Sequence, residues 1–127
     1  MYEIAPDVNL GFLKGKEICQ VCFGLYDVQF NYGNGGITVT GKFVFYSDEG
    51  HQPLIWKSAE TEEAGRRAAV ESALIISLLG TTVENVSWQK DGQLDLTFSS
   101  GAKLQMLNDD PRYEAYVIND GKQTFVV

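Results

Sequence analysis

The chain has 127 residues, 44% of them apolar, which suits one domain built around one core. A formal charge of −7 argues against nucleic acid and anionic membranes as partners, because both require a lysine- and arginine-rich surface to displace counterions. No segment approaches the ~20 apolar residues of a membrane span, and the opening MYEIAPDVNLGFLKGK carries Glu3 and Asp7 and no leader-length apolar run, so the cytoplasm is the expected address.

In chain order, alternation and β-branched or aromatic content predict strands at 17–23, 26–32, 37–46 and 54–57. They predict further strands at 83–89, 94–99, 103–107, 113–118 and 124–127. The connections carry turn residues: Asn34-Gly35-Gly36, Asp91-Gly92, Ser100-Gly101 and Asp109-Asp110-Pro111. Asp91-Gly92 between VSWQ and LDLTF is the strongest hairpin signal, and strands joined by turns this short must pair antiparallel.

One helix interrupts them at 61–79. Ser58 or Thr61 can cap it, Glu62 and Glu63 suit its positive end, and Gly80 supplies a left-handed stop. At 100° per residue, Ala64, Ala68, Ile75, Leu78 and Leu79 form an apolar stripe, joined by Leu74. Glu71 interrupts that stripe, with Arg67 one turn before it.

The chain also resembles itself. LKGKEICQVCF lies over LGTTVENVSWQ, placing Gly15 over Gly80, Ile18 over Val83, Val21 over Val86 and Phe23 over Trp88, all at an offset of 65. With three residues of slack, VQFNYG then falls over LTFSSG. Half-repeats at about 13–46 and 79–118 follow, each a β-meander, a natural repeating unit. The predicted fold is α+β: a single domain over 1–127, two antiparallel meanders forming a sandwich or open roll, one helix crossing between them.

Candidate chemistry is sparse. Cys19 and Cys22 form a C-x-x-C, but a structural zinc site needs four ligands, and the chain adds only His51 to the two thiols. On a strand the two thiols point to opposite faces, and buried, reduced cysteines are expected. No metal site or cofactor is predicted. His51, beside Asp48 and Glu49, has no nucleophile placed near it and reads as a solvated loop histidine. NYGNGGITV lacks the phosphate-loop pattern and the following helix. Asp109 and Asp110 precede proline in a turn, without a calcium-loop pattern around them.

The Arg67–Glu71 pair either marks a perturbed, functional carboxylate or is an ordinary i, i+4 contact at the stripe's edge, worth ~0.3 kcal/mol; the second reading is preferred. Tyr113-Glu114-Ala115-Tyr116 poses the same choice on a strand. Alternation puts Glu114, Tyr116 and Ile118 on one face, with Lys103 or Lys122 as cross-strand partners for the carboxylate.

Gly92-x-Leu94-x-Leu96-x-Phe98-x-x-Gly101-x-x-Leu104, followed by Tyr113-Glu114-Ala115-Tyr116, resembles the C-terminal signature of small bacterial domains of the polymorphic-toxin immunity type. Their pattern is a glycine-led L-x-L-x-F hairpin and then Y-E-x-W. The resemblance covers 80–118, departing from the pattern at Ser100 and at Tyr116 in place of tryptophan. It implies architecture and a partner-neutralising role, and it brings no catalytic residues.

Three functions follow in order. The first is a non-enzymatic binding module for a basic protein, such as a toxin domain, because complementary charge speeds association. Self-assembly as a homodimer through the 37–46 strand is compatible with it. Last comes a small-molecule binder or enzyme, with a pocket between helix and sheet lined by Trp56, Trp88, Arg67 and Glu71. The candidate binding residues are Glu114, Tyr116, Arg67, Glu71, Trp56 and Trp88.

Overall fold

The computed structural model describes residues 3–50, 52–110 and 114–127. Its strands are β1 (Gln20–Phe23), β2 (Val28–Tyr32), β3 (Gly35–Val39), β4 (Lys42–Tyr46) and β5 (Leu54–Lys57), then helix α1 (Glu62–Glu71). After α1 come β6 (Val83–Trp88), β7 (Leu94–Phe98), β8 (Lys103–Leu107), β9 (Tyr116–Asn119) and β10 (Thr124–Val126). Two 3₁₀ segments, Leu10–Leu13 and Ala73–Leu78, precede β1 and β6.

The strands form two antiparallel five-stranded sheets, ordered β1-β2-β3-β9-β10 and β5-β4-β8-β7-β6. Period-2 alternation makes their shared core. Val28, Phe30 and Tyr32 of β2, and Leu94, Leu96 and Phe98 of β7, are buried while their neighbours are half-buried. Between the sheets, Phe30 meets Phe43 edge-on at 5.6 Å, and Phe43 stacks on Trp56 at 5.3 Å. Each such side chain removed from water contributes about 1.5–3 kcal/mol. The α+β sandwich therefore stands in outline, mostly β with a single α-helix.

The strand expected at 37–46 is two strands in different sheets. Thr40 and Gly41 carry the chain across, their N–H groups both donating to the Ala115 carbonyl at 3.1 and 2.9 Å. A side chain at Gly41 would come within 3.1 Å of the Ala115 backbone. ITV before that break and FVF after it are both largely apolar and β-forming, so residue type alone did not mark it. Gly35 and Gly36, expected in a turn, lie inside β3, and the β2–β3 turn is Gly33-Asn34. At Asp91-Gly92 the hairpin forms as expected, but with only Gly92 at positive φ (107°).

The helix departs most from expectation. The α-helix stops at Glu71, and Ala73–Leu78 tightens into 3₁₀ geometry. Thr61 caps the start, its hydroxyl accepting from Ala64 N–H at 3.2 Å, while Ser58 instead donates to the Tyr26 carbonyl. A run with Val70, Ile75 and Ile76, punctuated by serines, favours the α-helix weakly. A 3₁₀ helix eclipses positions three apart. Ser72, Ile75 and Leu78 accordingly point inward, whereas Leu74 and Leu79, assigned to the buried stripe by 100° spacing, are exposed. Within α1 the one fully buried residue is Gly65, against the Leu25 carbonyl. The core is therefore sheet on sheet, with the helix at its margin.

Each sheet combines a meander from one half of the chain (β1–β3 or β6–β8) with the hairpin of the other half (β9–β10 or β4–β5). The inward rows match across the exchange: Val21-Phe30-Ile37-Ile118-Phe125 in one sheet, Val86-Leu96-Leu104-Phe45-Leu54 in the other. Val21 over Val86 and Phe23 over Trp88 agree with the sequence offset of 65. The next stretch does not: Phe30 corresponds to Leu96, not to Phe98.

The 3₁₀ register makes a direct prediction. Ile75→Ala should cost about 2–5 kcal/mol in chemical denaturation, as buried deletions do, and Leu74→Ala less than about 1 kcal/mol. Equal losses would restore the continuous α-helix.

Candidate functional site

The six residues singled out from sequence do not converge. Trp56 is buried in β5 against Phe43, and Trp88 is half-buried in β6, on the opposite edge of the same sheet. Tyr116 is buried in β9, where its hydroxyl donates to the Gly92 carbonyl at 2.6 Å. Arg67 and Glu71 are both exposed on α1, and Arg67 reaches back to Glu63 at 3.4 Å rather than forward to Glu71. Glu114 is exposed ahead of β9, and its role is in the backbone: its carbonyl accepts from the Thr40 hydroxyl at 2.9 Å. Alternation fails there because Ala115 and Tyr116 are both buried. His51 and Tyr113 lie outside the described residues.

The cysteines also differ from expectation. Cys19 is exposed and Cys22 half-buried, both free. They flank Asn31: the Cys19 thiol donates to its carbonyl, and its side-chain amide approaches the Cys22 sulfur at 3.9 Å. Among the described residues, no three His, Cys, Asp or Glu side chains form a metal-holding group, and no helix is long and apolar enough to cross a membrane.

What gathers instead is exposed apolar surface. Six of the nine large apolar side chains exposed among the described residues belong to one region. Val70 lies on α1, Leu74 and Ile76 on the following 3₁₀ segment and Leu79 just past its end, and Val70 is the most exposed at 76%. Leu25 and Tyr26 lie in the β1–β2 turn, whose backbone rests on α1 at Gly65. A globular surface carries single apolar residues freely, but a cluster of them indicates a contact site. Glu60, Glu62, Glu63 and Glu71 against Arg66 and Arg67 leave the same segment net acidic. Sequence reasoning missed this surface because 100° spacing assigned Leu74 and Leu79 to the core.

Two shallow hollows lie on the outer sheet faces and include none of the six residues. One, of about 490 Å³, is floored by uncharged side chains: Gln20, Asn31, Thr38, Asn119 and Thr124 around Gly36. The Asn31 side chain lies across Gly36, where any Cβ would collide with it. The other, of about 520 Å³, mixes Asp95 and Lys103 with Tyr46 and Gln105.

Two tyrosine hydroxyls hold the sheets internally. Tyr32 donates to the Asn119 carbonyl at 2.9 Å, tying β2 to the end of β9. Burial, helped by Asp120, pushes its pKa up to about 12. Burial pushes the Tyr116 hydroxyl above its ordinary range as well, with Asp91 and Asp95 adding to the shift. The exposed Asp120 carboxyl sits below its usual range because the backbone N–H groups of Gln123 and Lys122 point at it.

Fold and surface together define a small two-sheet α+β domain whose exposed apolar side chains gather on one helical segment. The chain belongs to the family of unknown function DUF6188, whose profile matches residues 12–127. No curated protein matches it, and neither does any solved structure.

The tyrosines set a pH limit. Their folded pKa values lie above ~10, the value in an unfolded chain, so the stability they contribute is complete below pH ~10 and is lost as pH rises towards 12. Urea midpoints should hold from about pH 7 to 9 and fall steeply above 10. Tyr116→Phe, which strands the buried Gly92 carbonyl, should cost about 1–3 kcal/mol at pH 7 and soften the alkaline fall. An unchanged alkaline limb in Tyr32→Phe and Tyr116→Phe would assign that limb to other groups.

Proposed function

We propose that this chain is a non-enzymatic protein-binding module whose contact surface is the α1–3₁₀ segment with the neighbouring β1–β2 turn, and whose partner is basic. The observation that carries this reading is the clustering of Val70, Leu74, Ile76, Leu79, Leu25 and Tyr26 beside four glutamates. Apolar side chains supply the contact that persists, and the acidic segment with a net charge of −7 steers a basic partner towards it. A toxin domain neutralised by an immunity-type protein is the partner class that the sequence signature at 92–116 supports, and the cytoplasm is where such neutralisation would occur. Arg67 and Glu71 belong to this surface. Tyr116 and Trp56, being buried, serve it only by holding the fold.

The matched strand orders and inward rows support reading the two half-chains as an internal duplication with exchanged hairpins. That reading bears on function, because the helix lies between the halves and breaks the equivalence. A partner-specific surface there leaves the repeated framework undisturbed.

The test is co-expression with the product of the adjacent reading frame, followed by calorimetry on the purified pair. A basic partner should bind, with affinity falling as salt rises. Val70→Asp with Leu74→Asp should weaken binding by at least about tenfold, since a few central apolar contacts dominate such interfaces. Glu62→Lys with Glu63→Lys should mainly slow association. Both variants change exposed positions and should melt as the parent does; parental affinity in both would place the contact elsewhere.

A further inference from the structure

The fold covers some sheet edges and leaves others open. The β1 edge is flanked by the second 3₁₀ segment and the β6 edge by the first. β6 is further tied down at its ends, by Lys16 and by the Ile4 N–H bonded to the Lys90 carbonyl. β5 pairs with β4 on one side, and among the described residues no backbone group bonds its other side. Ile55, at 61% exposure, is the most exposed large apolar side chain on any described strand. An open edge carrying an outward isoleucine is a template for another strand.

The β4–β5 hairpin is also charge-polarised. Its loop end holds Asp48 and Glu49; its other end holds Lys42 and Lys57, direct cross-strand partners. Like charges facing each other across a ladder repel. Lys42 has Asp109 at 3.9 Å, whereas Lys57 has no ion-pair partner among the described residues. A hairpin positive at one end and negative at the other is complementary to its own antiparallel copy. β10 is open on one side as well, but it has three residues and its turn carries both Asp120 and Lys122, so it lacks this polarity.

We infer that two copies of this chain associate by antiparallel β5–β5 pairing across a two-fold axis, Ile55 against Ile55 of the second copy. Face parity fixes the register. Residues directly opposite in a ladder share a face, and Ile55 points outward while Trp56 points into the core. Centring on Ile55 extends the outward Val44–Ile55 row into its equivalent. It also sets Lys57 opposite Pro53 of the second copy, next to that copy's Asp48–Glu49 turn. The two second sheets become one ten-stranded sheet. The 37–46 strand expected to mediate such pairing cannot do so, since β3 and β4 are paired on both edges. An interface this small lies below ~1,200 Å², so the dimer is weak and concentration-dependent, and the −7 charge on each copy opposes it further.

Sedimentation equilibrium from about 5 µM to 1 mM at ~0.15 M salt, where surface repulsion is screened, tests this. The mass should rise from monomer to dimer, and the β5 amides should exchange more slowly at the high concentration. Ile55→Lys should be monomeric throughout with an unchanged melt. Should that variant melt early, Ile55→Thr, which keeps a β-branched residue, takes its place. Lys57→Glu should weaken association at least about tenfold, and adding Glu49→Lys should restore it. A monomer at 1 mM overturns the inference. So does a dimer that tolerates both Ile55 variants, or one whose β5 exchange is concentration-independent.

Discussion

The fold depends on a junction of three hydrogen bonds. Thr40 and Gly41 N–H groups share the Ala115 carbonyl, and the Thr40 hydroxyl donates to the Glu114 carbonyl. At this point the first half-chain leaves one sheet for the other, and the incoming strand of the second half takes its place alongside β3. Glycine at 41 suits this close approach, since a Cβ there would lie 3.1 Å from the Ala115 backbone and push it back slightly. Were the crossing to fail, β4 could not reach β8, and each half would hold a three-stranded meander with one apolar face uncovered.

The strand order of the two sheets explains where the apolar residues go. Phe30, Phe43, Trp56, Tyr116 and the leucines of β7 and β8 are consumed between the sheets. The two 3₁₀ segments then each lie beside an edge strand of the sheet that the following meander does not build. What remains exposed is informative for that reason. The side chains of the α1–3₁₀ segment are not left over from a poor core, because that core is closed without them. They remain on the surface.

Local chemistry was legible where it acts locally. Leu54–Lys57 and Lys103–Leu107 form strands at the positions alternation assigns, the Asp91-Gly92 hairpin forms, and Thr61 caps the helix. The failures have a common cause. ITV and FVF give largely apolar, β-forming residues on both sides of the sheet change at Gly41, ALIISLL has apolar residues at 3₁₀ as well as α spacing, and YEAY looks alternating although Ala115 and Tyr116 are both buried. In each case a side chain's fate depended on what lay across the core, and no neighbour in sequence reports that.

By itself the sequence determined the class: an acidic chain of short antiparallel strands with one helix, since period, turn residues and capping are properties of a few adjacent positions. Tertiary structure alone decided the sheet to which each strand belongs, the helix turns that tighten to 3₁₀ and the apolar side chains left outside. Those outcomes are set by packing between segments some seventy residues apart, such as Thr40 with Glu114, which bond across a sequence separation of 74. Contacts at that distance take their energy from the completed core, not from the propensity of either segment.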